Sequence, residues 1–357
     1  MKTVGFLSMR FEENEKRDFR PVFFKRLASL ENTFILENSY GSKLGYAESD
    51  YLIPNKHIRF CDRDTVLNAD SVVSIRTPDF EQLGKIKSGA LLFSMLHYLT
   101  RGRRNEFLTN KRVRMLSMDS VVDDFGKRMI EDFPGTVENA FNAGYAVLLG
   151  YSNPSLLRVL ILGSGEIGKI SANIAIKRAP VPVIATVIGR SVTQDDGIMN
   201  EMLSKTDVLV DASKRHLPHK SIISNEQLGT LPEDALIIDL SADDYDTNVS
   251  PIQVKGIEGI PTGNLDKYIF FPDDPAYDSI PVQLRTINRR TLLSCNAWPG
   301  VDPIRCLNRY ELQMDPFIRL IAGDSCEFSL NSENPYERAL ARGSYAHFLQ
   351  QQVIITP

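Results

Sequence analysis

The sequence predicts an α/β fold of two doubly wound units, the second inserted into the first. Three observations carry that expectation. Short apolar runs alternate with segments of helical periodicity through most of the 357 residues, which points to parallel strands joined by helices rather than to an all-β fold. A glycine loop of the kind that opens such a unit, RVLILGSGEIGKI, arrives only at residues 158–170, after a set of strands and helices has already been laid down. A helical tail follows the last strand, and it can return to complete the unit that came first.

Taken in order, Thr3 to Ser8 reads as a strand, followed by the charged stretch EENEKRDFRP and a helix in PVFFKRLASL, where apolar residues recur at helical spacing. TFILENS reads as a second strand and ADSVVSIRTP as a third, and GALLFSMLHYL and VRMLSMDSVV are further apolar runs. GTVENAFNAGYAVLLGYS, from Gly135 to Ser152, lines small and apolar residues along a connecting helix. A fresh series begins at Leu157: the strand RVLILG, a helix from Glu166 to about Lys177, then the strands VPVIATVIG, TDVLVDAS, DALIIDLSA and TLLSCNAW. The tail opens with the helical segment PIRCLNRYELQMDPFIRLIAG. The expected boundaries are 1–134 with 306–357 for the first unit and 135–305 for the inserted one.

Composition narrows the function classes. An apolar fraction of 43% and a charged fraction of 24% are those of an ordinary globular protein. A net charge of −4, from 41 basic and 45 acidic residues, gives no reason to expect nucleic acid or an anionic membrane as partner. No apolar run approaches the ~20 residues that span a bilayer, and the N-terminal apolar segment is too short for a signal peptide. A cytoplasmic location is the expectation. The four cysteines, Cys61, Cys295, Cys306 and Cys326, are scattered, so free thiols are expected and no metal site. His216 and His219 in SKRHLPHK read as a loop pair.

Gly163, Gly165 and Gly168 form GxGxxG between an apolar strand and a helix-compatible run. The first permits the tight turn, the second lets the backbone approach a pyrophosphate, and the third lets helix and strand pack closely. The loop residues Gly163, Ser164, Gly165, Glu166, Ile167 and Gly168, with the helix N-terminus behind them, are the expected dinucleotide site. A cofactor with a free ribose 2′-OH calls for a carboxylate at the tip of the next strand. Here that strand ends Ile188-Gly189-Arg190-Ser191. A guanidinium and a hydroxyl suit a 2′-phosphate, so NADP is favoured over NAD, with Gly189, Arg190, Ser191 and Ser241 completing the site.

Four further residues form a candidate constellation. Arg17 follows the first strand, Arg76 ends SVVSI just before Thr77-Pro78, His97 ends a later apolar run, and Asp243 follows IIDLS. Strand C-termini are where α/β sheets bind ligands. Singly, each arginine reads as a solvated charge and His97 as a core histidine bonded to a backbone carbonyl. Together they supply cations for a carboxylate, a proton carrier active near neutral pH and an acid able to face them from the inserted unit.

Several stretches resemble one superfamily, that of alanine dehydrogenase, saccharopine dehydrogenase and transhydrogenase. They are MKTVGFLSMRFEENEKRDFRP, YGSKLGYAESDYL, SVVSIRTP, GALLFSMLHYL, IIDLSADDYD and CNAWPGVDP, while SVVDDFGKRM is more similar to the saccharopine dehydrogenases. The resemblance implies two Rossmann-like domains, with the nucleotide-binding domain inserted into the substrate domain and substrate held between them. It implies an NAD(P)-dependent oxidoreductase acting on a C–N bond, with an amino acid, 2-oxo acid or imine as small-molecule partner. Self-association into a homo-oligomer is compatible with it. Carried over, Arg17 holds a substrate carboxylate, His97 is the acid/base and Asp243 holds the amine or the attacking water. Arg76 stands where the family has lysine and cannot act as a base, although it can clamp a carboxylate. Ala297-Trp298 replace the family's asparagine-methionine pair. These departures motivate an alternative, a non-catalytic nucleotide-binding relative with a sensing or structural role.

Overall fold

The computed structural model describes every residue except Met1, Phe11, His216, Ala242, 324–326 and 356–357, and the side chains of 353–355. Two of the residues weighed above, His216 and Cys326, therefore lie outside the described set. The chain divides into two units: Met1–Phe11, Glu15–Asp132 and Pro303–Pro357 in the first, Glu12–Asn14 and Phe133–Asp302 in the second.

The first unit holds strands β1 (Thr3–Phe6), β2 (Thr33–Glu37), β3 (Ile58–Cys61), β4 (Ser71–Arg76), β5 (Leu91–Met95) and β6 (Arg114–Ser117). They form one parallel sheet in the order β3-β2-β1-β4-β5-β6. Central strands β1, β2, β4 and β5 are almost wholly buried, because helices cover both faces of a parallel sheet. On one face Phe6, Phe24, Phe34 and Phe93 meet, with Phe6 and Phe24 in edge contact at 4.9 Å. On the other lie Leu7, Val66, Val72 and Leu92. The returning helix Pro303–Ala322 buries Leu307, Tyr310, Met314, Phe317, Ile318 and Ile321 in the first of these cores. That three-and-four spacing draws the tail back to this unit. Sequence reading passed over β3, since IRFC buries only its first residue fully and sits at the sheet edge.

The second unit holds β7 (Leu157–Leu162), β8 (Val183–Ile188), β9 (Val208–Asp211), β10 (Leu236–Asp239), β11 (Ile269–Phe270) and β12 (Thr291–Ser294). Their order is β11-β12-β10-β9-β7-β8. All neighbours are parallel except the short β11 against β12. The topological switch falls at β7, whose neighbours are β8 on one side and β9 on the other. That is where an open α/β sheet binds its ligand. The helix Phe133–Leu149 buries Val137, Ala140, Phe141, Tyr145 and Leu148. Gly144 admits it closely, since a Cβ there would stand 2.9 Å from Ile238. Among the described residues no helix is long and apolar enough to cross a membrane.

Gly168 is the tightest packing point in the turn after β7: a Cβ there would lie 1.8 Å from the carbonyl oxygen of Gly163. Gly168→Ala must therefore shift backbone rather than a side chain. A loss of ~1–3 kcal/mol or more is expected by urea unfolding, while Gly165→Ala, with nothing within 4 Å of its Cβ position, is expected to leave stability nearly unchanged.

Candidate active site

Four loops of the first unit end at one edge of its sheet, because β1, β4, β5 and β6 are neighbours running the same way. His97 follows β5 with φ 47° and ψ 57°, the left-handed region that non-glycine residues seldom enter. Asp119 holds it there. The His97 backbone N–H donates to Asp119 Oδ1 at 3.2 Å, and His97 Nδ1 lies 3.4 Å from Asp119 Oδ2. Asp119 Oδ1 also accepts the Ser117 hydroxyl, whose oxygen takes the Leu96 N–H at 2.9 Å. Burial raises the Asp119 carboxyl, but His97, Arg128 and Ser117 more than offset it and hold the group well below the usual carboxylate range. With its side chain 36% exposed, His97 is not the core histidine bonded to a carbonyl that its apolar setting suggests.

Arg76 ends β4, and its Nη1 stands 3.8 Å from Glu15 Oε2. Arg17 grips the same carboxylate through Nε to Oε1 at 2.9 Å and Nη2 to Oε2 at 2.5 Å. Burial pushes Glu15 up, yet the two arginines outweigh it and leave the carboxyl below its ordinary value. This corrects the expectation that Arg17 offers an open fork to a substrate carboxylate. The guanidinium is 4% exposed, and a buried cation requires a paired anion. Arg76 is the more exposed of the two. Arg128 also reaches this edge, donating to the Ile130 carbonyl at 2.8 Å and contacting Met95 sulfur at 3.1 Å.

In the second unit the glycine turn follows β7 as expected. Gly163 takes φ +106°, and a Cβ there would meet the Ala212 carbonyl oxygen at 2.6 Å. Its N–H is tied to the Ile188 carbonyl at 2.8 Å. The helix Glu166–Arg178 begins at the N-cap Gly165, whose side carries no capping bond. Its first N–H groups and the open space over Gly165 form a cradle that fits a pyrophosphate. Arg190 is exposed at the start of a short helix just past β8.

Beyond the loop lies a buried charged row that sequence reading missed. Asp211, Asp239 and Ser294 end β9, β10 and β12 in register. Asp239 accepts Ser294 Oγ at 2.8 Å, the Ser241 N–H at 2.9 Å and Ser241 Oγ at 2.7 Å, and pairs with Lys255 Nζ at 2.8 Å. The Ser241 hydroxyl, expected at the cofactor, thus serves Asp239. Asp211 Oδ1 accepts Ser213 N–H at 3.0 Å and Oγ at 2.6 Å, while its Oδ2 is buried without a hydrogen bond. Burial and the charge of Asp239, against the weaker pull of Ser213 and Arg215, push Asp211 up to about 6. Asp243, expected to face an amine, gives Oδ2 to Arg215 Nη2 at 2.5 Å. Trp298 is buried, and its Nε1 donates to the Asp239 carbonyl at 2.8 Å. That ring belongs to the core.

Residues 12–131 match the model for the N-terminal domain of alanine dehydrogenase/PNT, a span that contains Arg17, Arg76, His97, Asp119 and Arg128. An alanine dehydrogenase of Staphylococcus saprophyticus subsp. saprophyticus is 25% identical over 179 residues, 46% of this chain and 48% of that protein. The chain resembles alanine dehydrogenases. The match spans about half the length of that curated relative. Among solved structures an L-alanine dehydrogenase superposes with a TM-score of 0.65 at 15% identity, covering 96% of this chain and 94% of that one. A transhydrogenase from Sinorhizobium meliloti gives 0.61 at 12% identity, covering 90% and 94%. At such identities the likeness is one of fold, two Rossmann-like parallel-sheet domains.

Two outcomes follow from the buried charges. Glu15→Gln leaves Arg17 without its counter-charge, and a loss of ~3–5 kcal/mol is expected in urea unfolding; an unchanged midpoint would show that Glu15 is not what compensates it. Asp211 sits at about 6 against an ordinary 3.8, so the stability it contributes is whole below the lower value and lost as pH rises through the upper one. The wild type is therefore expected to lose on the order of 2–3 kcal/mol relative to Asp211→Asn between about pH 4 and about pH 7. Parallel melting curves across that range would refute the assignment.

Proposed function

We propose that this chain is an NAD(P)-dependent oxidoreductase acting on the C–N bond of an amino acid or an amino-acid-derived secondary amine. The observation that carries the reading is His97, fixed on a strand end by Asp119 beside Arg76. A histidine whose Nδ1 faces a carboxylate keeps Nε2 as the outward nitrogen, the arrangement of a proton carrier. Glycine geometry after β7 supports a dinucleotide, and Arg190 beyond β8 favours NADP over NAD. The bound nicotinamide would supply the hydride acceptor or donor.

In the oxidative direction the amino-bearing carbon loses hydride and its nitrogen lone pair forms the C=N bond of an iminium. Water then adds at that carbon, and the C–N bond breaks to leave the carbonyl product and the amine. Arg76 fixes the substrate carboxylate by its planar fork, with Glu15 and Arg17 setting the charge around it. His97 Nε2 takes a proton from the nitrogen or from the adding water and returns it to the departing amine. Asp243 receives the ammonium or orients the water. Reacting atoms must be held at ~3–3.5 Å for transfer. A small 2-amino acid and a secondary amine joining an amino acid to a 2-oxo acid both satisfy this chemistry, and the SVVDDFGKRM segment with Arg128 favours the second. Cytoplasmic location and small-molecule partners go with the proposal. Trp298 lies in the core and lends the non-catalytic alternative no support.

Titrating NADPH and NADH by cofactor fluorescence tests the reading. NADPH is expected to bind tighter, and Arg190→Ala to weaken it by about 10–100-fold with NADH little changed. With an amine and 2-oxo acid panel, His97→Ala is expected to lower kcat by ~10²–10⁴ without altering cofactor binding. Failure to bind either cofactor would end the enzyme assignment.

A further inference from the structure

The segment after β10 carries Asp243, and two cations reach it from different directions. Lys255 Nζ donates to the main-chain carbonyl of Asp243 at 2.9 Å, pairs with Asp239 at 2.8 Å and lies 3.4 Å from Thr262 Oγ1. Thr262 Oγ1 in turn donates to Asp244 at 3.0 Å. Arg215 binds Asp243 Oδ2 through Nη2 at 2.5 Å and Nε at 3.2 Å. The same guanidinium donates to the carbonyls of Pro218, Lys220 and Val254.

Lys255 is 0% exposed. Lysine is almost never so buried unless paired, and an apolar side chain of similar volume often serves stability as well or better. Packing alone therefore does not explain an ammonium here. The ammonium does two things that an alkyl group cannot: it pairs with the buried Asp239 and it holds the carbonyl of residue 243. Arg215 holds the carboxylate of the same residue, and Oδ1 is left without a partner among the described residues on a side chain 24% exposed.

We propose that Lys255 and Arg215 are positioning residues that act through Asp243, fixing its backbone and one carboxylate oxygen so that Oδ1 meets the cationic amine of a substrate. The inference rests on the role of Asp243 in the proposed reaction. Asp239 supplies the counter-charge to Lys255. Asp239 ends β10 and accepts Ser294 Oγ from the end of β12, so through Lys255 the cluster ties the segment to these two strand ends. Orienting one reactive group from two sides is how a supporting shell removes rotational freedom before substrate arrives.

Lys255→Met leaves Asp239 charged and unpaired, and that variant alone could fail by unfolding. The double variant Asp239→Asn/Lys255→Met removes both charges and is expected to recover the melting temperature. It should still show faster amide exchange across residues 240–246 and unchanged exchange across the glycine turn, 163–168. With ammonium chloride as amine and pyruvate or 2-oxoglutarate as acceptor, its KM for ammonium is expected to rise about tenfold or more. The KM for the oxo acid and the NADPH Kd should stay within about twofold. A uniform fall in kcat with no split between the two KM values, or unchanged exchange across 240–246, would overturn the proposal. If the wild type turns over neither acceptor, the proposed reaction is what fails on those substrates. Exchange then decides the positioning role alone: faster exchange confined to 240–246 supports it, and unchanged or general exchange overturns it.

Discussion

In both units the strands run parallel, save the short β11, so the last residues of the parallel strands, the turns after them and the N-termini of the following helices gather at one edge. Charge placed at such an edge is half inside a sheet covered on both faces and cannot be left to water. Asp211, Asp239 and Ser294 end three neighbouring strands in register, and Arg76, His97 and Asp119 come from strand ends of the other sheet. The geometry that concentrates chemical groups also forces each to find a partner. That constraint governs the rest of the molecule.

The solutions differ in how close the partner lies along the chain. Glu15 closes the fork of Arg17 from two residues away, Asp119 reaches His97 across 22 residues and Arg215 reaches Asp243 across 28. Leaving one member of a buried pair alone is far costlier than burying the pair. Residues that look like free ligands in a motif therefore meet in the structure as members of ionic pairs. In the proposed reaction, the atoms that matter at such an edge are those turned away from the ionic partner, Nε2 of His97 and Oδ1 of Asp243.

Much of this was legible residue by residue. The strand–turn–helix around Gly163, Gly165 and Gly168 depends on contacts within about one turn of chain, so its pattern survives in the sequence. Arg76 and His97 stand at strand ends because the apolar runs before them mark where the strands stop. The Glu15–Arg17 pair was also within reach, two residues apart in EENEKR, had the burial of the segment been foreseen. Asp119 sat in the same quoted stretch as a strand, MLSMDS, without any local sign of the histidine it holds. Lys255 and Asp211 gave no signal at all, one lying in an irregular segment and the other reading as an ordinary strand terminus. The edge strand β3 was missed for the opposite reason, too little burial to leave an apolar pattern.

Apolar periodicity, the glycine spacing and the late arrival of the loop were enough to determine two doubly wound units and the cradle after β7, because strand, turn and helix preferences act over a few residues. That the C-terminal helix returns to the first unit followed from the late arrival of the glycine loop. Which charges pair, and so which atoms stay open to a ligand, came from the fold. Pairing energies depend on distance and burial, and both are set by strands brought side by side from distant parts of the chain. A sequence names the ionisable groups; the sheet edge assigns them to one another.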